Sequence, residues 1–181
     1  MGMYTLEEAR AEMLQAITPL PTETIPLLQA AQRVLATETQ AKIDLPRFDN
    51  SAMDGYAVRA AEAITGTKLK CIGEVSAGSV FEGELGDGEC LRIFTGSPTP
   101  DGANAVVMQE DTRAASGLIE ITDGVKPFEH IRLRGEDLKA GETIGHVGER
   151  LHAGRLQLFG SAGVAEVSVH RKPIIGVLST G

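Results

Sequence analysis

The 181 residues contain no tryptophan, and aromatic side chains make up only 4% of them. A core built from this chain therefore rests on Leu, Ile, Val and Ala rather than on large rings. Its two cysteines, Cys71 and Cys90, form no CxxC pair and read as reduced, half-buried thiols. The four histidines, His130, His146, His152 and His170, show neither HxxxH nor HExxH spacing, so no zinc site is expected. Walker A, GxGxxG and GxSxG loops are all absent, which argues against a self-contained nucleotide enzyme or serine hydrolase. Basic residues are outnumbered 17 to 25, giving a formal charge of −8. Such a chain repels phosphate backbones, so nucleic acid is not expected as a partner. No apolar run approaches the ~18 residues of a membrane span. No basic region leads into an apolar stretch at the N-terminus, and Leu6 stands where a myristoylation signal needs Ser or Thr. The expected compartment is the cytoplasm, with no membrane partner.

What is present reads as a small α+β protein, mainly β. Thr5-Leu6-Glu7-Glu8 forms a capping box, followed by Leu6, Ala9, Met13, Leu14 and Ile17 at helical spacing. Pro19 and Pro21 stop that helix. After an extended "TETIPL", residues 28–36 are expected to form a second, shorter helix with Leu28, Ala31 and Leu35 buried. From about residue 38 the period changes, and the 21 glycines begin to matter. The strand candidates "LKCIGEV", "ECLRIF", "AVVMQE" and "LIEIT" alternate with turns at Gly66, Gly73, Asp87-Gly88, Asp101-Gly102, Gly117 and Asp123-Gly124. They predict an antiparallel β domain over 42–141. Residues 142–172, ending in the alternating "VAEVSVH", are expected to return and pack with the N-terminal helices. The first domain, 1–41 plus 142–172, is then discontinuous, with the β domain inserted. "PIIGVLSTG", residues 173–181, reads as the first strand of a third, α/β domain that breaks off as it begins.

Three polar loops carry the chemistry. "FDNSAMDGYA", residues 48–57, packs Asp49, Asn50, Ser51, Asp54 and Gly55 among Phe48, Met53 and Tyr56. It is either a turn pinned by its aromatic ends or a set of hard oxygen donors able to hold Mg²⁺ beside a phosphate. In "RIFTGSPTPDGA", residues 92–103, a strand delivers Thr95-Gly96-Ser97 to a proline-stiffened loop. The loop is either a plain connection or an anion cradle of amides and hydroxyls. In "HIRLRGEDLKAGE", residues 130–142, Arg132 and Arg134 flank Leu133, and Glu136 and Asp137 follow Gly135. An ion-pair cluster and a grip on phosphate or molybdate are the two readings.

Taken together, "LPRFDNSAMDGYAVR", "LRIFTGSPTPDGANAVVMQE", "IRLRGEDLKAGE" and "GVLSTG" strongly resemble, in order and spacing, the MoeA family of molybdopterin molybdenumtransferases, relatives of the gephyrin and plant Cnx E domains. The resemblance runs along essentially the whole chain, which matches only the first portion of a typical member. It implies molybdenum cofactor biosynthesis: insertion of molybdate, the substrate, into adenylylated molybdopterin with release of AMP, Mg²⁺ taking part. It further implies a homodimer held largely by the discontinuous first domain, a contact with the enzyme that adenylylates molybdopterin, and a cleft between the second domain of one subunit and the third of the other. Carried onto this sequence, Asp54 and Thr95 match the family's functional aspartate and threonine, with Asp54 implied as the Mg²⁺ contact. Arg132 and Asp137 match the outer positions of RxRGED, and Arg134, Ser51 and Ser97 join them as expected substrate contacts. Leu133 stands where some members carry a third arginine, which lowers the local positive charge. The resemblance implies that residues 1–181 alone are inactive; the alternative is a non-catalytic dimerisation or scaffold module.

Overall fold

A computed structural model of the chain describes residues 3–179. Helix α1 spans Leu6–Ala16 and is followed by β1 (Thr22–Pro26), a 3-10 turn at Leu27–Gln29 and β2 (Thr39–Gln40). Strands β3 (Asn50–Ser51), β4 (Gly55–Val58), β5 (Lys68–Val75), β6 (Glu89–Ile93) and β7 (Ala105–Met108) come next. A second 3-10 turn (Gln109–Asp111) leads to β8 (Thr112–Ala115), β9 (Leu118–Ile121) and β10 (Ile131–Arg132). The chain continues through β11 (Thr143–Gly145), α2 (Ala153–Ser161) and β12 (Glu166–His170). It divides into two compact units, Met1–Lys42 with Gly141–Gly181, and Ile43–Ala140.

In the first unit, α1 begins as its sequence dictates. Glu8 N–H donates to Thr5 Oγ1 while Thr5 N–H donates to Glu8 Oε2 at 2.8 Å, a reciprocal cap that satisfies two end amides. Leu6, Met13 and Leu14 on this helix and Ile17 just after it are exposed, and no residue of the helix is buried, so the apolar stripe stands largely open. The expected helix over 28–36 does not form. Only Leu27–Gln29 makes a 3-10 turn, Leu28 is 95% exposed, and Gln32 adopts a left-handed φ of 64°. The reason is tertiary: the amides of Gln32, Leu35 and Ala36 donate to Leu151, Glu149 and Ser168 instead of to residues one helical turn back. The returning segment accordingly packs with strands rather than helices, β12 pairing antiparallel with β1 and β11 with β2. Leu35, Leu151, Phe159 and Val169 form its fully buried centre. Gly145 is required there, because a Cβ would lie 2.4 Å from the Phe159 ring and 2.8 Å from Leu35. Residues 171–179 are exposed and form no strand, so the one expected over 173–181 is absent among the described residues; Thr180 and Gly181 lie outside them.

The second unit is a six-stranded sheet in the order β7-β4-β6-β5-β9-β8. Its strands fall where alternation placed them, but the sheet is mixed: β5 and β6 run parallel, which corrects the antiparallel expectation. Parallel neighbours need a long crossover, and the irregular connection 76–88 supplies it. Successive residues point to opposite faces, so β6 sends Cys90 into one apolar layer with Val58, Leu69, Val107 and Ile121. Leu91 and Ile93 enter the other, with Ala57, Val75, Leu85 and Val106. Cys71 and Cys90 are register partners and both thiols are free. Burial, with Cys71 beside it, pushes the Cys90 thiol up to about 12, so it stays neutral and packs as a small apolar group. Among the described residues no helix is long and apolar enough to cross a membrane.

Candidate functional site

All three polar loops meet at one end of the second unit. β3 pairs with β10, placing Ser51 opposite Ile131 and Asn50 opposite Arg132. Ser51 N–H donates to Ser97 O at 3.0 Å and Gly96 N–H to Ser51 O at 2.8 Å, which zips the first loop to the second. Thr99 N–H donates to Asp49 O, and Ala52 N–H to His130 O. Arg134 N–H reaches the Asp49 side chain at 2.7 Å, which ties the third loop to the first.

Glycine sets the local shape. Gly55 lies where β4 passes β7, and a Cβ there would stand 2.0 Å from Val107 O, so only Gly allows the strand after Asp54 to approach. In the second loop Ser97 N–H closes a turn onto Phe94 O, with Gly96 at φ 83°. The third repeats the device: Glu136 N–H bonds Leu133 O and Gly135 sits at φ 71°. Both glycines occupy the third turn position, where positive φ favours that residue.

The turn at Gly96 aims Thr95 at Asp54. Thr95 N–H donates to Asp54 Oδ1 at 2.8 Å and Thr95 Oγ1 donates to the same oxygen at 2.9 Å. Oδ2 accepts no bond from the described residues, and both side chains are exposed. The amide bond first, then the hydroxyl bond, hold the Asp54 carboxyl below its usual range, with the Arg92 charge adding to them. Asp54 is therefore a fixed carboxylate with one oxygen committed and one available.

The arginines are differently placed. Arg132 donates from Nε to Glu136 at 2.6 Å and from Nη2 to Asp137 at 2.5 Å, bonds that push its pKa upward, the one to Asp137 most. Arg134 does not share that cluster. It lies in the turn rather than the strand, and its Nε bonds Asp44 at 2.5 Å. The Ala140 amide and then Arg134 lower the Asp44 pKa. Ion pairing thus accounts for both arginines and for Asp137 in this arrangement. Ser51 and Ser97 are fully buried; Ser51 Oγ donates to Met53 O at 2.5 Å and Ser97 Oγ to Val75 O at 3.2 Å. Their hydroxyls brace the loops. Phe48 and Met53, expected as apolar anchors, are 45% and 37% exposed; Tyr56 alone of that set packs on the core.

Sequence reasoning missed Asp44, Arg92 and Gln109. Arg92 lies over the Tyr56 and Phe94 rings, 5.2 and 4.8 Å from their centroids, beside Asp54. Its signal was a lone cation in the apolar strand that delivers Thr95. No group of three or more His, Cys, Asp or Glu able to hold a metal occurs among the described residues. The donors therefore do not make an all-protein cage. A single carboxylate oxygen at Asp54 fits an ion such as Mg²⁺, which keeps several waters and takes phosphate oxygens as further ligands.

Comparisons with known proteins agree with this frame. Residues 4–163 match the family model described as MoeA N-terminal region (domain I and II). A molybdopterin molybdenumtransferase of Haemophilus influenzae is 41% identical over 182 residues, covering 99% of this chain and 45% of that protein. One from Staphylococcus aureus is 33% identical, covering 97% and 43%. The chain spans less than half the length of these relatives. A crystal structure of the molybdopterin biosynthesis MoeA protein of Pyrococcus horikoshii superposes with a TM-score of 0.84 at 35% identity, covering 92% of this chain and 46% of that one. Matched along nearly its whole length in sequence and fold, the chain belongs to the MoeA family, of which it carries the N-terminal region.

Proposed function

We propose that this chain supplies one wall of the active site of a molybdopterin molybdenumtransferase, which inserts molybdate into adenylylated molybdopterin and releases AMP. The observation that carries the reading is the Asp54–Thr95 pair: an exposed carboxylate, kept ionised and oriented by two bonds to one oxygen. A preoriented charge of this kind serves a reaction because it does not reorganise as the reaction proceeds. Thr95 holds Asp54; the hydroxyl proton it gives to Oδ1 is not available to a phosphate at the same time. Asp54 Oδ2 is the oxygen that would contact Mg²⁺, and the bound ion would neutralise substrate phosphate charge. Arg132 meets the anionic substrate by exchanging Glu136 or Asp137 for it, which its exposure permits. Arg134 and Asp49 hold the third loop in place, and Ser51 and Ser97 support Asp54 and Thr95 from beneath.

The rest of the reaction site belongs to the part of the relatives that this chain does not span, so residues 1–181 alone are expected to be inactive. The exposed stripe of α1 supports a homodimer in which it covers a second copy. Light scattering showing only monomer at high concentration would count against that assembly. The test of function is molybdate-dependent AMP release from adenylylated molybdopterin by a full-length protein carrying this region. AMP release that is absent, or that ignores molybdate, contradicts the assignment and leaves a scaffold module.

A further inference from the structure

We propose that Arg92 is a positioning residue for Asp54, clamping the backbone on the far side of the carboxylate so that Oδ2 keeps one direction. The inference rests on the reading that Asp54 faces the reaction. Arg92 stands opposite Tyr56 in the β4–β6 register, two residues before Phe94 and three before Thr95. Its Nη1 donates to Gly55 O at 3.1 Å and its Nη2 to Gln109 Oε1. Gln109 in turn donates its N–H to Asp54 O at 3.0 Å. The carbonyls of Asp54 and Gly55 are thus both tied to one small ring of bonds, Arg92–Gln109–Asp54–Gly55. The guanidinium plane also lies against Phe94, the residue that leads into Thr95, and against Tyr56, the second residue after Asp54.

Asp54 is consequently gripped twice. Thr95 fixes the side chain at Oδ1, and Arg92 with Gln109 fixes the main chain that carries it. Without the second grip, Thr95 would hold a carboxylate whose own backbone pivots. A rigid planar fork is needed to bond two acceptors, one on β4 and one in the 3-10 turn after β7, while stacking on rings, and lysine has no such fork. Charge alone is therefore not the function of Arg92, which makes Arg92→Lys informative: it keeps the cation and removes the clamp.

The experiment uses Arg92→Lys and Arg92→Gln, with Gln109→Ala as a milder variant that opens one arm of the ring. Amide hydrogen exchange at Thr95 and Gln109, followed by NMR in the 181-residue chain, gives one readout, and kcat and KM in the full-length enzyme give the other. The expected result is that both Arg92 variants speed exchange at these two amides about tenfold and lower kcat about tenfold with KM little changed, lysine failing to rescue. A folded Arg92→Lys protein with unaltered exchange at both amides and unaltered kcat overturns the proposal, even if its Tm falls, because that is the behaviour of a purely structural residue. If the Arg92 variants do not fold, Gln109→Ala decides by the same readouts. Faster exchange in the 181-residue variants, with a full-length Asp54→Asn enzyme still active, would sustain the clamp and remove the function assigned to Asp54.

Discussion

Two turns built on the same plan carry opposite chemistry. Phe94–Ser97 and Leu133–Glu136 are each closed by an amide-to-carbonyl bond and each place glycine at positive φ. The first spends its amide and hydroxyl on Asp54 and leaves Oδ2 open. The second closes on itself: Arg132 is bonded to Glu136 and Asp137 within the loop, and Leu133 N–H also goes to Glu136. Polar content therefore does not distinguish an open loop from a self-closed one. The distinction lies in which groups remain uncommitted once local bonds have formed.

The comparison can be broken most forcefully at its frame. Gly55→Ala forces a Cβ to within 2.0 Å of Val107 O, so β4 and β7 must separate and the Asp54 loop must move. A loss of about 3 kcal/mol is expected from overpacking, read as a lowered midpoint in urea denaturation. An unchanged midpoint would show that the close approach at Gly55 does not constrain the loop.

The next effect concerns the open turn itself. Thr95→Val keeps the backbone bond to Asp54 and removes the hydroxyl bond. The Asp54 pKa then rises toward its usual value but remains lowered, since the amide is the larger cause. The sign follows from linkage: because the folded pKa lies below the unfolded one, the ionised carboxylate's contribution is present above the unfolded pKa and is lost as pH falls through the folded value. In Thr95→Val that loss begins at higher pH. Carboxyl NMR checks the shift, and kcat in the full-length enzyme should fall about tenfold.

The closed turn should respond least. Arg132→Ala removes two solvent-screened ion pairs, and pairs of that kind contribute little, least at high salt. The midpoint in urea denaturation is therefore expected to stay nearly unchanged. The KM for the anionic substrate should rise while kcat changes little, which steady-state kinetics of the full-length protein resolves. A fall in kcat at unchanged KM would move Arg132 from binding to the reacting centre.

Much of this was legible in local sequence. The capping box at Thr5 and Glu8 involves neighbours and formed as read. So did the strand segments that became β5, β6, β7 and β9, because short apolar stretches bounded by turns suit a sheet with an apolar layer on each face. The family likeness singled out Asp54 and Thr95 one by one, and the turn chemistry at Gly96 explains why they meet. What was not legible depended on distant partners. The residue 28–36 segment has acceptable helical spacing, yet its amides bond a stretch more than a hundred positions away. The parallel β5–β6 pairing is a matter of topology that no hairpin signal encodes. Arg134 finds Asp44 ninety positions back in the sequence, whereas the spacing of RLRGED suggested one cluster.

The central claim is that Asp54, held by Thr95 with one oxygen open, is the reactive group of this wall. Its most direct test is kcat for molybdate-dependent AMP release by full-length protein carrying Asp54→Asn, which preserves shape and removes charge. The account predicts a loss on the order of 10²-fold in kcat with the fold intact. Undiminished kcat in that variant would contradict it.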